Sequence, residues 1–171
     1  MSGPLTGLRV IEYTGPLGQL AGKLLADMGA DVVAIEPPAG SPARAVGPFV
    51  DDVPGPDRSL NYWYHNTNKR SVIVDLTAAE GVAAWKSLVA KADIVIEDCA
   101  PGELDTVGLG HASLRPAIDS LIWCSITPFG QAGPWASYQA TDMVGLALGG
   151  PMMMNGYDAE DVPGAPPIRG H

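Results

Sequence analysis

The sequence has few basic residues and no long hydrophobic run. Its 171 residues include 10 lysines and arginines against 19 aspartates and glutamates, which gives a formal net charge of −9. Because nonspecific binding to nucleic acids depends mainly on basic side chains, this balance argues against a general nucleic-acid-binding protein. No apolar stretch approaches the roughly 20 residues that a membrane-spanning helix needs. The composition therefore predicts neither a nucleic-acid partner nor a membrane partner.

Cysteine and histidine are also sparse. Cys99 and Cys124 have no paired spacing, and the first residues do not read as a secretory signal, so we expect reduced thiols in a cytoplasmic protein. The three histidines are too far apart in sequence to suggest a metal site; they are His65, His111 and His171. These features predict neither a disulfide framework nor a bound metal ion.

Apolar runs alternate with amphipathic segments along the chain. Hydrophobic residues make up 46% of the sequence and charged residues 17%, which is typical of a globular protein, and the length favours one domain. Predicted strands cover residues 8–13, 31–36, 71–76, 94–97 and 121–126. Predicted helices cover residues 19–28, 78–91, 113–119 and 139–150, and residues 37–60 read as a long irregular loop. This order predicts an α/β fold, with a Rossmann-like, mostly parallel sheet and helices on both faces.

A glycine-rich turn, Gly15–Gly18, follows the first predicted strand and precedes the first predicted helix. Open α/β sheets bind ligands at the carboxyl ends of their strands, and a helix N-terminus favours an anion there. The turn lacks the full Gly-x-Gly-x-x-Gly pattern of dinucleotide-binding domains, which argues against a plain nucleotide-binding domain. A tight turn that needs glycine only for its backbone geometry is the alternative interpretation.

Two adjacent cations, Lys69 and Arg70, lead into the third predicted strand. Lysine can hold a phosphate as a point charge, and arginine can bind one through two parallel hydrogen bonds. The alternative is a solvated turn whose cations pair with Asp75 or Glu80. Local sequence does not decide between these two roles.

Four segments in a fixed order resemble the class III CoA-transferases, the CaiB/BaiF-like family that includes formyl-CoA transferase and the α-methylacyl-CoA racemases. The segments are Gly3–Glu12, Asp27–Pro38, Asn66–Leu76 and Lys91–Glu97. Members of that family are more than twice as long as this chain and form interlocked homodimers. The resemblance therefore implies that residues 1–171 are the N-terminal portion of a large Rossmann-like domain, with acyl-CoA and a carboxylic acid as substrates.

The resemblance also places eight residues of this chain against CoA. They lie in the turns after the first and fourth predicted strands and at the end of the third: Pro16, Leu17, Val74, Thr77, Asp98, Cys99, Pro101 and Gly102.

Four positions depart from the family pattern, and at three of them a positive or neutral partner of a phosphate is missing. Asp98 replaces an asparagine, and its charge would repel a pyrophosphate. Thr77 and Thr106 occupy places where members often carry lysine and arginine. Cys99 also replaces a phenylalanine, so it cannot stack on a ring. These differences predict a weak hold on the phosphates of CoA.

The resemblance implies transfer of CoA between carboxylic acids through an aspartyl intermediate, whose nucleophile is not visible in this chain. Asp142 is the candidate catalytic carboxylate that the chain does contain, although capping the following helix is the more ordinary role for it. Racemases carry a histidine where this chain has Thr141, and a hydroxyl has no useful basicity near neutral pH. Racemase activity is thus the less favoured alternative. A non-catalytic partner half of a tandem or heteromeric transferase is the other.

Overall fold

The computed structural model describes residues 3–118, 120–154 and 164. Five parallel strands form one sheet in the order β3-β2-β1-β4-β5. The strands are β1 (Arg9–Tyr13), β2 (Asp31–Glu36), β3 (Arg70–Ile73), β4 (Ile94–Glu97) and β5 (Ile122–Ser125). The predicted α/β fold and the five predicted strands are therefore confirmed.

The helices of the described residues vary widely in length. They are α1 (Gln19–Asp27), α2 (Leu60–His65), α3 (Ala79–Val89), α4 (Glu103–Thr106), α5 (His111–Leu114), α6 (Asp142–Leu148) and α7 (Pro151–Met154). Short 3-10 helices cover Pro42–Ala45, Val50–Asp52 and Arg115–Ala117. No helix in this part of the chain is long and apolar enough to cross a membrane.

Successive residues of β1 pack into two separate hydrophobic clusters. Val10 belongs to a cluster with Ala26 of α1, whereas Ile11 belongs to a cluster with Trp85 and Val89 of α3. Because neighbouring side chains of a strand point to opposite faces, α1 and α3 cover opposite faces of the sheet. The predicted arrangement of helices on both faces is present.

All four predicted helices have different limits in the structure, and the differences are largest for two of them. The prediction over residues 139–150 was too long at both ends, since α6 runs from Asp142 to Leu148 and α7 starts after Gly150, which has a left-handed φ of 89°. The prediction over 113–119 was also wrong in its limits, because α5 begins at His111 and gives way to a 3-10 helix that contains Pro116. Residue 119 lies outside the described residues.

The segment predicted as a long loop is partly ordered, and helix α2 follows it directly. Ser59 caps this helix by accepting a hydrogen bond from the Tyr62 amide at 3.0 Å. A serine before an apolar run is a recognised helix start, so the sequence did carry the signal. The structure thus contains a helix over Leu60–His65 that was not predicted from the sequence.

Candidate functional site

The strand order creates a crevice beside β1. The chain moves from β1 to β2 and β3 on one side, and then crosses to β4 on the other side. Ligands of open α/β sheets bind at such a reversal, outside the carboxyl ends of the strands. Tyr13 of β1 pairs with Glu97 of β4, so the residues that follow these two strands meet at one edge of the sheet.

A cleft of about 390 Å³ lies at this edge, and we call it the switch-point cleft. It is lined by residues 13–17, 98 and 99, and by Ile35, Pro37 and Pro42. Four of the eight residues that the resemblance places against CoA are therefore brought together here: Pro16, Leu17, Asp98 and Cys99. Most of the lining is apolar, so the cleft suits an uncharged part of a ligand better than a phosphate.

A second cleft of about 470 Å³ shares Leu17, Asp98 and Cys99 with the first and adds Pro101. Gly102 follows and has a left-handed φ of 77°, a conformation that favours glycine, at the start of α4. It lines a third cleft, of about 370 Å³, together with Glu97 and His111. Positions 98–102 therefore form a continuous wall between neighbouring clefts.

The two remaining predicted CoA contacts lie elsewhere. Val74 is 5% exposed and packs in the core, and the Thr77 amide and hydroxyl both donate to the Asp75 carboxylate, at 2.9 and 2.6 Å. Neither residue lines the switch-point cleft, because β3 is the edge strand and lies two strands from β1. Contact of Val74 and Thr77 with CoA stays a prediction.

Asp142 lies in the first turn of α6 and lines a cleft of about 680 Å³. The alternative prediction, that Asp142 caps this helix, was wrong. Thr141 is the N-cap residue, and it makes no side-chain capping bond. Leu17 lines the same cleft. It therefore links the surroundings of Asp142 to the switch-point cleft.

The thiol of Cys99 is unsuited to act as a nucleophile. Burial, together with the nearby carboxylates of Glu97, Glu103 and Asp98, raises its pKa to about 12. Burial and negative neighbours also raise the pKa of Tyr13. Both groups stay protonated near neutral pH, so the switch-point cleft presents them as neutral contacts.

A buried ion pair lies behind the cleft. The Lys69 ammonium lies 2.8 and 2.9 Å from the two carboxylate oxygens of Glu12, and both side chains are at most 2% exposed. The ammonium also donates to the Gln19 carbonyl at 2.8 Å and to Asn66 Oδ1 at 3.0 Å, while Thr14 donates to Glu12 at 2.7 Å. Burial raises the pKa of Glu12 and lowers the pKa of Lys69, and the attraction between the two charges opposes both shifts. Lys69 therefore connects β1 and α1 instead of facing solvent.

The buried ion pair explains why residue 22 is a glycine. A β-carbon at Gly22 would lie 2.0 Å from Glu12 Oε2, so no larger residue fits without displacing the buried carboxylate. Glycine normally weakens a helix interior, and here it lets α1 approach Glu12 closely.

Arg70 binds the carboxylate of Asp31 through two nitrogen atoms, with its Nε donating to Oδ1 at 2.9 Å and an Nη to Oδ2 at 2.6 Å. The expected partners Asp75 and Glu80 were therefore wrong for both cations of the turn. Lys69 and Arg70 pair instead with Glu12 and Asp31. Because β3 pairs in parallel with β2, the turn before β3 lies near the N-terminal end of β2.

The acidic residue at the end of β2, Glu36, has its carboxylate fully engaged. Arg44 donates to both oxygens at 2.6 and 2.9 Å, and further donors are the Tyr62 and Ser71 hydroxyls and the Ser41 amide. These bonds lower the pKa of Glu36 to about 2, and the hydrogen bonds from Arg44 make the largest contribution to this shift. Dinucleotide-binding domains use an acid at this place to hold a ribose. Here protein donors occupy it, which argues further against a plain nucleotide-binding domain.

Comparison with known proteins identifies the family of this chain. The profile of CoA-transferase family III matches residues 5–170, and the chain belongs to that family. The chain is 46% identical over 158 residues to succinate–glutarate CoA-transferase of Agrobacterium fabrum, covering 90% of the chain and 39% of the relative. It is 40% identical to succinyl-CoA:(R)-benzylsuccinate CoA-transferase subunit BbsE of Thauera aromatica, covering 92% and 38%.

A solved structure shows the same fold. The crystal structure of a CAIB/BAIF family protein from Brucella suis is 39% identical and superposes with a TM-score of 0.82, over 94% of this chain and 42% of that one. The chain thus spans about two fifths of the length of the relatives it matches.

Proposed function

We propose that this chain is the N-terminal part of an enzyme that transfers CoA between carboxylic acids. The observation that carries the proposal is the switch-point cleft, where Pro16, Leu17, Asp98 and Cys99 meet at the positions that the family resemblance assigns to CoA. Relatives that are 40% and 46% identical are named for transfers that involve succinate or succinyl-CoA. A dicarboxylic acid is therefore the first substrate class to test.

An aspartyl nucleophile fits this reaction, because a carboxylate can attack the thioester carbonyl and release the CoA thiolate. The segment that the resemblance places nearest to that nucleophile, residues 166–171, lies outside the described residues. In this proposal Asp142 contributes a carboxylate beside the acyl group, and Leu17 packs against the ligand between the two clefts.

A radioactive exchange assay tests the proposal. The complete protein, incubated with succinyl-CoA and labelled carboxylic acids, should form the corresponding labelled acyl-CoA. Racemase activity is disfavoured by Thr141 and would appear as loss of optical activity from an α-methylacyl-CoA without exchange. Absence of exchange with every acid tried, together with no binding of CoA, would refute the transferase assignment.

A partner subunit is the alternative, and one observation favours it. The relative from Thauera aromatica is named as a subunit of its transferase. If the protein alone is inactive and a co-purified second chain restores exchange, the non-catalytic role is correct.

We expect weak CoA binding that strengthens when a cation is added at Thr106. This residue is exposed on α4, and its hydroxyl donates to the Glu103 carbonyl at 2.7 Å. Thr106→Arg should tighten CoA binding by about 1 to 3 kcal/mol in calorimetry, which is the scale of hydrogen bonds to charged groups. Ser87→Arg adds the same charge on the exposed side of α3 and should change nothing. Equal affinity in all three proteins would mean that CoA phosphates lie away from α4.

An exposed apolar stripe on α1 supports the proposal that this chain is completed by further polypeptide, in an interlocked homodimer. Leu20, Leu24 and Met28 are 39–53% exposed and recur every four residues along one side of the helix. Trp63 and Tyr64 of α2 are also exposed. Contiguous apolar surface of this kind marks an interaction site.

Residues 1–171 alone should therefore self-associate. Sedimentation velocity should show species larger than a monomer, and Leu24→Lys should shift the distribution towards the monomer by placing a charge in the stripe. Lys86→Leu, on α3, is the matched control and should not reduce association. A wild-type chain that sediments as a monomer would contradict the proposed contact surface.

A further inference from the structure

The carboxylate of Asp98 fills the glycine turn between β1 and α1. The Gly15 amide donates to both of its oxygens, at 2.8 and 2.9 Å, and the Gly18 amide donates to Oδ2 at 2.9 Å. These two amides lie where a phosphate would be held at the corresponding turn of a dinucleotide-binding domain. In this protein an internal carboxylate is already bound there.

The start of α1 has no other anion of its own. Gly18, the N-cap residue, makes no side-chain capping bond, and the first turn of this nine-residue helix contains no acidic residue. The free amides and the helix dipole make such an end attractive to negative charge. Asp98 supplies that charge from the end of β4, 80 residues further along the chain.

The turn is shaped to fit this carboxylate closely. A β-carbon at Gly18 would lie 2.6 Å from Thr14 Cγ2 and 3.3 Å from Asp98 Oδ2, so a larger residue would open the turn. The buried Lys69 and the partly buried Arg44 are bonded to other carboxylates, Glu12 and Glu36. Neither therefore serves as the counterion of Asp98.

We propose that Asp98 is a specificity-determining residue that keeps the Gly15–Gly18 turn closed to phosphate. A ligand in the switch-point cleft then meets the turn through Pro16 and Leu17, by its uncharged part, and its phosphates lie elsewhere. The placement of the ligand's phosphates rests on the proposed function, since it takes the ligand to be CoA. The closure of the turn does not depend on that function and applies to any phosphate.

Binding of inorganic pyrophosphate to the complete protein tests the closure of the turn. By calorimetry, Asp98→Ala should bind pyrophosphate at least about tenfold more tightly than the wild type, because two amides and the helix end become available. Pyrophosphate should also raise the melting temperature of this variant and leave that of the wild type unchanged, since a ligand stabilises the state that binds it.

Two further variants keep the test decisive. Asp98→Asn retains an acceptor for the turn but removes the charge, so it should fold and show a smaller gain in pyrophosphate affinity. Glu80→Gln removes one negative charge from the exposed surface of α3 and should show no gain. The proposal is overturned if the wild type binds pyrophosphate as tightly as Asp98→Ala, or, should Asp98→Ala fail to fold, if Asp98→Asn gains nothing over Glu80→Gln.

This outcome is separable from that of the proposed function, because pyrophosphate replaces CoA in every measurement. A wild type that transfers CoA, combined with Asp98 variants that gain no pyrophosphate affinity, refutes only the closed turn. A protein that shows no exchange, combined with a gain in the Asp98 variants, refutes only the transferase assignment.

Discussion

Replacing Lys69 with methionine should lower the free energy of unfolding by about 3 to 5 kcal/mol, the usual cost of leaving a buried charge without its partner. The Glu12 carboxylate would lose an ammonium 2.8 Å away and remain in a position that is almost fully buried. Thr14 and Gln19, at the two ends of the glycine turn, would lose their shared connection through this pair. Urea unfolding of residues 1–171 measures the loss directly.

The double variant Lys69→Met with Glu12→Gln separates charge burial from packing. It removes the unpaired charge, so it should be more stable than Lys69→Met alone. Lys86→Met, on the exposed side of α3, is the control and should change stability by less than about 0.5 kcal/mol. A Lys69→Met effect as small as this control, or a double variant no more stable than the single one, would show that the pair contributes little.

The loss in Lys69→Met should also depend on pH. Lys69 lowers the pKa of Glu12, so its removal raises further a pKa that burial already holds above the ordinary value of 4.5. A carboxyl whose pKa is higher in the folded state than in the unfolded state favours folding below the unfolded value and loses that contribution as pH rises. The variant should therefore be closest to the wild type near pH 4 and fall further behind towards pH 7.

Replacing Trp85 with alanine should destabilise the fold by about 3 to 5 kcal/mol, as large-to-small changes at buried aromatic positions do. Trp85 has no exposed surface, its indole donates to the Leu109 carbonyl at 3.1 Å, and its ring packs edge-on against Tyr13 with centroids 5.7 Å apart. Because Tyr13 lines the switch-point cleft, loss of this support should also weaken CoA binding.

Two control variants show how much of the destabilisation by Trp85→Ala comes from the lost hydrogen bond and how much from the lost buried ring. Trp85→Phe keeps an aromatic ring but leaves the Leu109 carbonyl without its donor, so the expected loss is about 1 to 3 kcal/mol. Trp135→Ala removes an indole that is 54% exposed, and we expect less than about 0.5 kcal/mol in residues 1–171. If Trp85→Ala unfolds at the same urea concentration as Trp135→Ala, the core around α3 does not depend on this ring.

The positions of the strands and the C-terminal end of α1 could be predicted because they depend on local signals. Short apolar runs bounded by glycine, proline or acidic residues marked all five strands, and Gly29, with a φ of 98°, ends α1 at the expected place. β3 is shorter than predicted, because Asp75 accepts hydrogen bonds from Thr77 and bends the chain after Val74. Such a bond competes with the strand ladder and is hard to weigh from composition alone.

The sequence by itself determined the fold class and the family, and it predicted the turns near which a ligand would bind, because these depend on hydrophobic periodicity and on motifs of neighbouring residues. Only the tertiary structure decided the partners of the charged side chains. Lys69 pairs with a residue 57 positions away, and Asp98 caps a turn 80 positions before it. The strand order places the end of β4 beside the turn that follows β1, so the carboxylate of Asp98 binds backbone amides to which no local motif connects it.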